Sequence, residues 1–423
     1  MPAPKIVIIG AGSLSFGLGC LQDAMLTPSL KGAELVLVDL DEEKLTRTYR
    51  LAQLLNQESG AELKIAMTVD RTAALPGANY VITAVEIKRN DLWRKDWEIP
   101  LKHGLKHVLG ENGGPGGLFH TLRMVPVLLE IARDMERYCP DALLINFSNP
   151  ESRLTLAVAE NTRIKAVGLC HGLQWQRWKI SQYLNMDQDD IFIQAAGVNH
   201  FTWIQKLKDR RTGEDLYPKL AALEKTWDPL CQYLYQVYGL YPSPSDDHSG
   251  EYIGWSHHMV GLHGHDFAAD DRHREEMDAK LAAMLAGERP VTELLARKSG
   301  EEAFDIIAAH WSGTPLYQMA LVLSNREGLI PGLPAGCTVE VPGYVDTFGV
   351  HGLKVEPLPA GIMGMLHREA TIQMLTVEAA VKGDRRLALQ ALLLDPVVTD
   401  PKAAEACLAE LFEVHAPYLP TFQ

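Results

Sequence analysis

Apolar residues follow two rhythms along this chain. In the first 170 residues, short continuous runs recur at Lys5–Gly10, Glu34–Asp39, Tyr80–Val85, Ala142–Phe147 and Ala166–Cys170. Most are rich in Val or Ile and none alternates with polar residues, as expected of strands buried on both faces of a parallel sheet. The stretches between them read as helices: Cys20–Leu26, Asp41–Gln57, His120–Tyr138 and Glu151–Asn161. The last three carry acidic or N-cap-type residues near their starts. Such alternation implies right-handed crossovers and a doubly wound α/β sheet. After about Gly197 the rhythm changes. His200–Lys208 reads as a partly amphipathic strand, Lys219–Tyr238 as helical, and Tyr241–Gly250 as a Pro/Ser/Asp-rich loop. Asp271–Ala286 and Glu301–Trp311 read as helices, Thr338–Val345 as a strand, and the end from Arg368 as mostly helix. The expectation is an α/β domain over residues 1–196 and an α+β domain over 197–423, with a lid-like region around 241–270.

Composition narrows the partners more than the fold. A length of 423 residues suits two or three domains, and 47% hydrophobic with 22% charged residues is ordinary for a globular protein. Acidic residues number 54 against 40 basic ones, for a net charge of −14. That argues against nucleic acid or an anionic membrane as the main partner, since both reward Lys/Arg surfaces. Six cysteines lie far apart with no CxxC pair, and the first strand begins too early to leave space for a signal peptide. No apolar stretch approaches the roughly 20 residues of a membrane-spanning helix. A reducing, cytoplasmic setting is therefore expected, where a functional cysteine is a ligand or nucleophile rather than half of a bridge.

The candidate chemistry gathers at strand ends. Gly10-Ala11-Gly12-Ser13-Leu14-Ser15-Phe16-Gly17 follows one strand and precedes a helix, the context in which glycines let a pyrophosphate approach a helix N-terminus. Ser15 replaces the usual third glycine. Asp39 ends the second strand, where a carboxylate can accept ribose hydroxyls and repel a 2′-phosphate, which favours NAD over NADP. A Gly-rich turn that holds no nucleotide is the competing reading. Asn146 and Asn149, in NFSNP, point toward the crevice beyond the strand ends, although Asn149 taken alone serves equally as a helix cap. Cys170-His171-Gly172 and Asn199-His200 place a thiol and an imidazole at two further strand ends, both competent metal ligands, though each is more often structural. Asp246-Asp247-His248-Ser249-Gly250-Glu251-Tyr252 is a dense titratable loop, and either a solvated turn or a source of acid–base groups. Gly110–Gly117, with Glu111 and Asn112, precedes a helix and is placed on the same crevice. Five histidines between His257 and His273 fit no common metal spacing and are read as mostly surface.

Taken in this order, the segments resemble glycoside hydrolase family 4. They are IGAGS with Asp39, GENGGPGG at 110–117, NFSNP at 146–150, GLCHG at 168–172, GVNHF at 197–201 and NREGLIPGLP…VEVP at 325–342. The resemblance spans residue 5 to about 385. It implies a Rossmann-type doubly wound parallel sheet followed by a lactate/malate-dehydrogenase-like α+β C-terminal domain. It also implies NAD held by Gly10, Gly12, Ser13, Asp39 and Asn146, and Mn²⁺ or another divalent metal held by Cys170 and His200. Asn149 and His171, with Glu111 and Asn112, would contact the sugar. The family's chemistry departs from two-carboxylate glycosidases. NAD⁺ oxidises C3, a base removes the acidified C2 proton, the aglycone leaves from C1, water adds, and the hydride returns. The base is sought on the 242–252 loop, with Asp247 and Tyr252 first and Asp246 next. Cys-His-Gly resembles the members that act on non-phosphorylated α-glucosides, α-galactosides or α-hexuronides, and a hexuronide would want a clamp from Arg89, Lys88, Arg123 or Arg153. Family members are commonly homodimers or homotetramers. The rival readings are a 6-phospho-glycosidase, a 2-hydroxy-acid dehydrogenase, and an NAD-binding protein without catalysis.

Overall fold

A computed structural model describes residues 3–13 and 16–423. Every apolar run of the first 170 residues forms a strand. β1 (Lys5–Ile9), β2 (Glu34–Val38), β3 (Lys64–Thr68), β4 (Tyr80–Thr83), β5 (Leu143–Asn146) and β6 (Lys165–Gly168) pair in parallel in the order 3-2-1-4-5-6. This is the Rossmann arrangement, whose order reverses between β1 and β4 and opens a crevice there. Helices cover both faces, so β1, β2, β4 and β5 are almost wholly buried. The strand absent from the sequence reading is β3, KIAMT, a half-exposed edge strand with no continuous apolar run.

The sheet continues past β6. β7 (Ile191–Val198), β8 (Phe201–Asp209), β9 (Tyr241–Ser243), β10 (Leu316–Ser324) and β11 (Thr338–Asp346) extend it in the order 6-10-11-7-8-9 with antiparallel pairing. β12 (Gly349–Gly352) lies beside β11. Two junctions are narrow: β10 meets β6 at Val322–Gly168, and β11 meets β7 at Glu340–Gly197. Both involve a glycine. A Cβ on Gly197 would sit 2.2 Å from the Phe201 carbonyl oxygen, so only hydrogen fits.

The C-terminal helices fold back over the first half. Ala360–Lys382 packs on Gly114–Tyr138 and Glu151–Asn161. Phe119, Leu154, Ile372 and Leu411 share one buried apolar layer on that face of the sheet. Leu21, Leu51, Ile8 and Phe304 share the layer on the other.

Several expected elements change at their ends. Lys219–Tyr238 divides into Tyr217–Ala221, a 3₁₀ turn at Glu224–Thr226, and Pro229–Tyr238, because Pro229 can only start a helix. The expected loop 241–250 contains β9 and a short helix, Asp246–Gly250. The helix expected from Asp271 starts at Phe267, where the Asp266 side chain accepts the Ala269 N–H. Among the described residues, no helix is long and apolar enough to cross a membrane.

Candidate active site

The turn after β1 is shaped by backbone contacts. Gly10 adopts φ +93°, and a Cβ there would lie 2.3 Å from the Ala84 carbonyl oxygen. The Gly10 and Ala11 N–H groups donate to the Val38 carbonyl at 2.9 and 3.0 Å, and Ser13 N–H donates to Gly10. A Cβ on Gly17 would meet the Ala11 carbonyl oxygen at 2.5 Å, which brings the helix Phe16–Met25 close against the turn. Asp39 accepts the Gly12 N–H at 2.8 Å and the Asp41 N–H at 3.0 Å, which fixes its carboxylate at the end of β2. Ser15, the substituted third position, lies with Leu14 outside the described residues. A side chain at Gly10 would push the turn off the end of β4, so its path beside the cleft depends on that glycine.

Beyond the C-terminal ends of β1, β4, β5 and β6 lies a cleft of about 750 Å³. It is bordered by Ser13, Val85, Ser148, Asn149, Cys170, His171, His200 and Asp247, so residues scattered over some 235 positions meet in one place. Asn146 does not border it. Its amide accepts from the Thr83 hydroxyl and Ser148 N–H and donates to the Ser148 carbonyl, so it shapes the turn after β5 and leaves Ser148 and Asn149 to face the cleft. Asn112 stands behind the cleft, 3.0 Å from His200 Nδ1.

His200 sits in the two-residue turn between β7 and β8 with φ +64°, a conformation that costs a non-glycine residue about 1–3 kcal/mol. The turn aims its imidazole at the cleft. Ligand atoms of Glu111, His200 and His248 lie within 4.8 Å of one another, a spacing that admits one cation. Burial alone would raise Glu111, yet Arg89, His200, His248 and His120 hold it at about 2. Cys170 borders the same cleft, and its sulfur accepts the Gly172 N–H at 3.4 Å. Burial pushes its thiol pKa far up, with Glu340 and Glu151 adding to the effect.

The donors present suit a divalent ion. Glu151 borders the cleft at 2% exposure, and neither of its carboxylate oxygens has a hydrogen-bond partner. It sits in the space a side chain on Gly168 would occupy. Two buried carboxylates, Glu151 and Glu340, thus crowd a thiol that only a nearby positive charge would ionise. Imidazole, carboxylate and thiol together accommodate Mn²⁺ or Zn²⁺.

The 242–252 segment separates the three candidate bases. Asp246 faces away from the cleft: both its oxygens accept N–H groups at the start of the helix Pro229–Tyr238, from Leu230 at 2.8 Å and Cys231 at 2.7 Å. Tyr252 is buried against Phe201, and its hydroxyl donates to the Asn199 carbonyl at 3.3 Å. Only Asp247 borders the cleft. It binds His248 Nδ1 at 3.0 Å and accepts the Ser245 hydroxyl. Burial disfavours the imidazolium of His248, but the hydrogen bond and charge of Asp247, with Glu111 beyond, lift it to about 9. The two form a carboxylate–imidazole pair with the second ring nitrogen 3.9 Å from Glu111.

Sequence reasoning assigned no role to Glu251. Its carboxylate accepts the N–H groups of Glu111, Asn112 and Gly113 at 2.6, 3.0 and 3.1 Å, and Asp395 accepts that of Gly114 at 3.0 Å. The glycine-rich loop therefore gives its unpaired N–H groups to two carboxylates of the C-terminal half, which lets the helix begin at Gly114 rather than His120.

Among the described residues, the two arginines that border the cleft are both paired. Arg89 binds Glu111 at 3.0 Å and Arg274 binds Asp270 at 3.0 Å. The other expected clamps point elsewhere. Arg123 pairs with Asp96 and Arg153 with Glu369, both buried, and Lys88 lies over the Tyr418 ring. Of the five histidines expected at the surface, His265 instead borders the cleft, stacked on Trp93 with ring centroids 4.3 Å apart.

Comparison with known proteins bears on this arrangement directly. Residues 5–186 match the family model "Family 4 glycosyl hydrolase", and residues 195–398 match "Family 4 glycosyl hydrolase C-terminal domain". An alpha-glucosidase of Erwinia rhapontici is 31% identical over 99% of both chains. An alpha-galactosidase of Bacillus subtilis is 30% identical over 99% of this chain and 100% of its own. The 6-phospho-beta glucosidase of Thermotoga maritima, solved with manganese, NAD⁺ and glucose-6-phosphate, superposes with a TM-score of 0.83 at 24% identity, covering 99% of this chain and 100% of its own. The 2-hydroxy-acid dehydrogenase and the non-catalytic binding protein, both admitted by the sequence, give way to a glycosidase. With both family models matched in succession over nearly its whole length, the chain belongs to family 4 of the glycoside hydrolases.

Proposed function

We propose that this enzyme hydrolyses neutral, α-linked hexosides by transient oxidation of the sugar, with NAD and a divalent cation such as Mn²⁺ as resident cofactors. The observation that carries this reading is the convergence on one cleft of the Gly10–Ser13 turn, the donors Cys170, Glu111 and His200, and the Asp247–His248 pair. The cofactors named for the T. maritima structure support the same assignment. When bound, NAD supplies a hydride acceptor for C3, and the cation supplies positive charge against the oxygens on C2 and C3.

The chain's own residues do the rest. Gly10, Gly12 and Ser13 approach the pyrophosphate, and Asp39 accepts the ribose hydroxyls. Cys170 and His200 hold the cation, with Glu111 and His248 in reach, while Asn149 and His171 meet sugar hydroxyls. An unactivated C2–H is too weak an acid for any side chain near neutral pH, so oxidation at C3 must precede its removal. Of the three expected bases, Asp247 borders the cleft, and it takes the C2 proton with His248 bonded beside it.

The matched arginines favour a neutral sugar. A 6-phosphate would bring about two negative charges, and a uronic acid one, to a cleft where the carboxyls of Glu86 and Asp270 are held, against burial, below their ordinary values by His120 and by Asn90 and Arg274. Arg89 and Arg274 are each already paired with a carboxylate. Hydrolysis in D₂O with NAD⁺ and Mn²⁺ tests the route. The product hexose gains deuterium at C2, and a chelator stops turnover. Turnover that leaves C2 unlabelled refutes the route in favour of direct displacement.

A further inference from the structure

We infer that Trp175 is the platform on which the leaving-group sugar stacks, so that the enzyme prefers a saccharide aglycone to a small alkyl one. This rests on the hydrolytic reading above. Trp175 borders the cleft and is 41% exposed, which leaves a large part of its ring open to a ligand. It belongs to the helix Gly172–Leu184, and its N–H donates to the His171 carbonyl at 2.9 Å, one turn above the sugar-binding end of the cleft. One turn is about 5.4 Å of rise, comparable with the width of a pyranose ring.

The ring is braced from one side. The Lys179 ammonium lies over it, 5.1 Å from the centroid, and is itself tied to Asp228. A cation over the ring restrains the indole and occupies only one of its two faces. The deeper cleft is lined by carboxylates and imidazoles that suit hydroxyls and a metal, whereas Trp175 offers a flat apolar face with a polar edge. A pyranose presents the matching surface: C–H groups on its faces and hydroxyls around its rim. Trp175 shares one cleft with Cys170, His171 and His200, so a leaving group departing from a glycone held there meets the ring. A methyl group is too small to cover the indole.

The test compares Trp175→Ala and Trp175→Phe with wild type on methyl α-glucoside against maltose, and on methyl α-galactoside against melibiose, using NAD⁺ and Mn²⁺. Trp175→Ala is expected to lower kcat/KM for the disaccharide by about tenfold, and for the methyl glycoside by less than about twofold. Trp175→Phe keeps most of the preference, Trp178→Ala keeps all of it, and the Kd values for NAD⁺ and Mn²⁺ do not move. Equal losses on both kinds of substrate, or a weakened NAD⁺ Kd, overturn the platform. A second measurement needs no turnover: free glucose, the aglycone of both disaccharides, should quench the wild-type-minus-Trp175→Phe fluorescence difference. If glucose quenches while no glycoside is cleaved, hydrolysis is refuted and the platform stands. If glucose leaves the difference unchanged, the platform is refuted whatever the activity.

Discussion

Three neighbouring side chains on one short segment do three different jobs. Asp246 caps a helix, Asp247 orients an imidazole at the cleft, and Tyr252 packs in the core beside β8. The sequence shows a dense group of titratable residues but not which way each one points, since that depends on the backbone turn at Ser245. Substitution separates them. Asp247→Asn should lower kcat by about 10²–10⁴-fold with little change in melting temperature. Asp246→Ala should cost about 1 kcal/mol of stability through the lost cap while leaving kcat near wild type. Steady-state kinetics and thermal melts on the two variants check both, and an inverted pattern would reassign the proton-transfer role. For the cation, Cys170→Ser is expected to weaken Mn²⁺ binding by about 10–100-fold, read from the free-ion signal in electron paramagnetic resonance. Unchanged affinity would remove the sulfur from the coordination shell.

At the scale of elements, the buried strands β1, β2, β4, β5 and β6 and the helix Glu151–Asn161 were legible because unbroken apolar runs and N-cap residues are local signals. So was the collection of Cys170, His171 and Asn149 on one crevice, which follows from their places at strand ends. The edge strand β3 was not, because an exposed KIAMT looks like loop. The role of Glu251 was not either, because its three N–H partners lie about 140 residues away and no local pattern announces them. The same holds for Glu151, which enters the cleft only because Gly168 of β6 leaves space. Gly168→Ala would put a Cβ on top of that carboxylate, and overpacking of this kind costs about 1–3 kcal/mol. The expected result is a lower melting temperature together with weaker Mn²⁺ binding. A variant with wild-type values of both would show that the sheet seam can give way without cost.

Across the whole molecule, buried charge ties distant parts of the chain together. Asp96 receives both Nη atoms of Arg123 at 3.0 and 2.6 Å, and His415 Nε2 lies 2.8 Å from it. Burial would raise this carboxyl, but Arg123 and His415 outweigh it and hold the pKa below its ordinary value. A depressed folded-state value contributes stability that is fully present above about pH 4 and is lost as the pH falls through the lowered value. Asp96→Asn should therefore destabilise the protein by about 3–5 kcal/mol at neutral pH, because Arg123 is left buried without its partner. It should also flatten the acid limb of the stability profile. Denaturant melts at pH 7 and pH 3 check this, and equal losses at both would detach the pair from acid sensitivity.

The carboxylates of Glu251 and Asp395 that close the glycine-rich loop have a consequence for biosynthesis. A nascent chain that has emerged only through Cys170 already contains the turn after β1 and that thiol, yet the backbone donors at 111–114 lack their carboxylate partners until residues made much later arrive. Glu111 thus gains its backbone anchor only once Glu251 has been made, and Gly114 only once Asp395 has. A clipped chain lacking Glu251 and all that follows would keep the turn after β1 but lose the anchor that sets Glu111 at the cleft, so a cut far along the chain from Glu111 would disarm it.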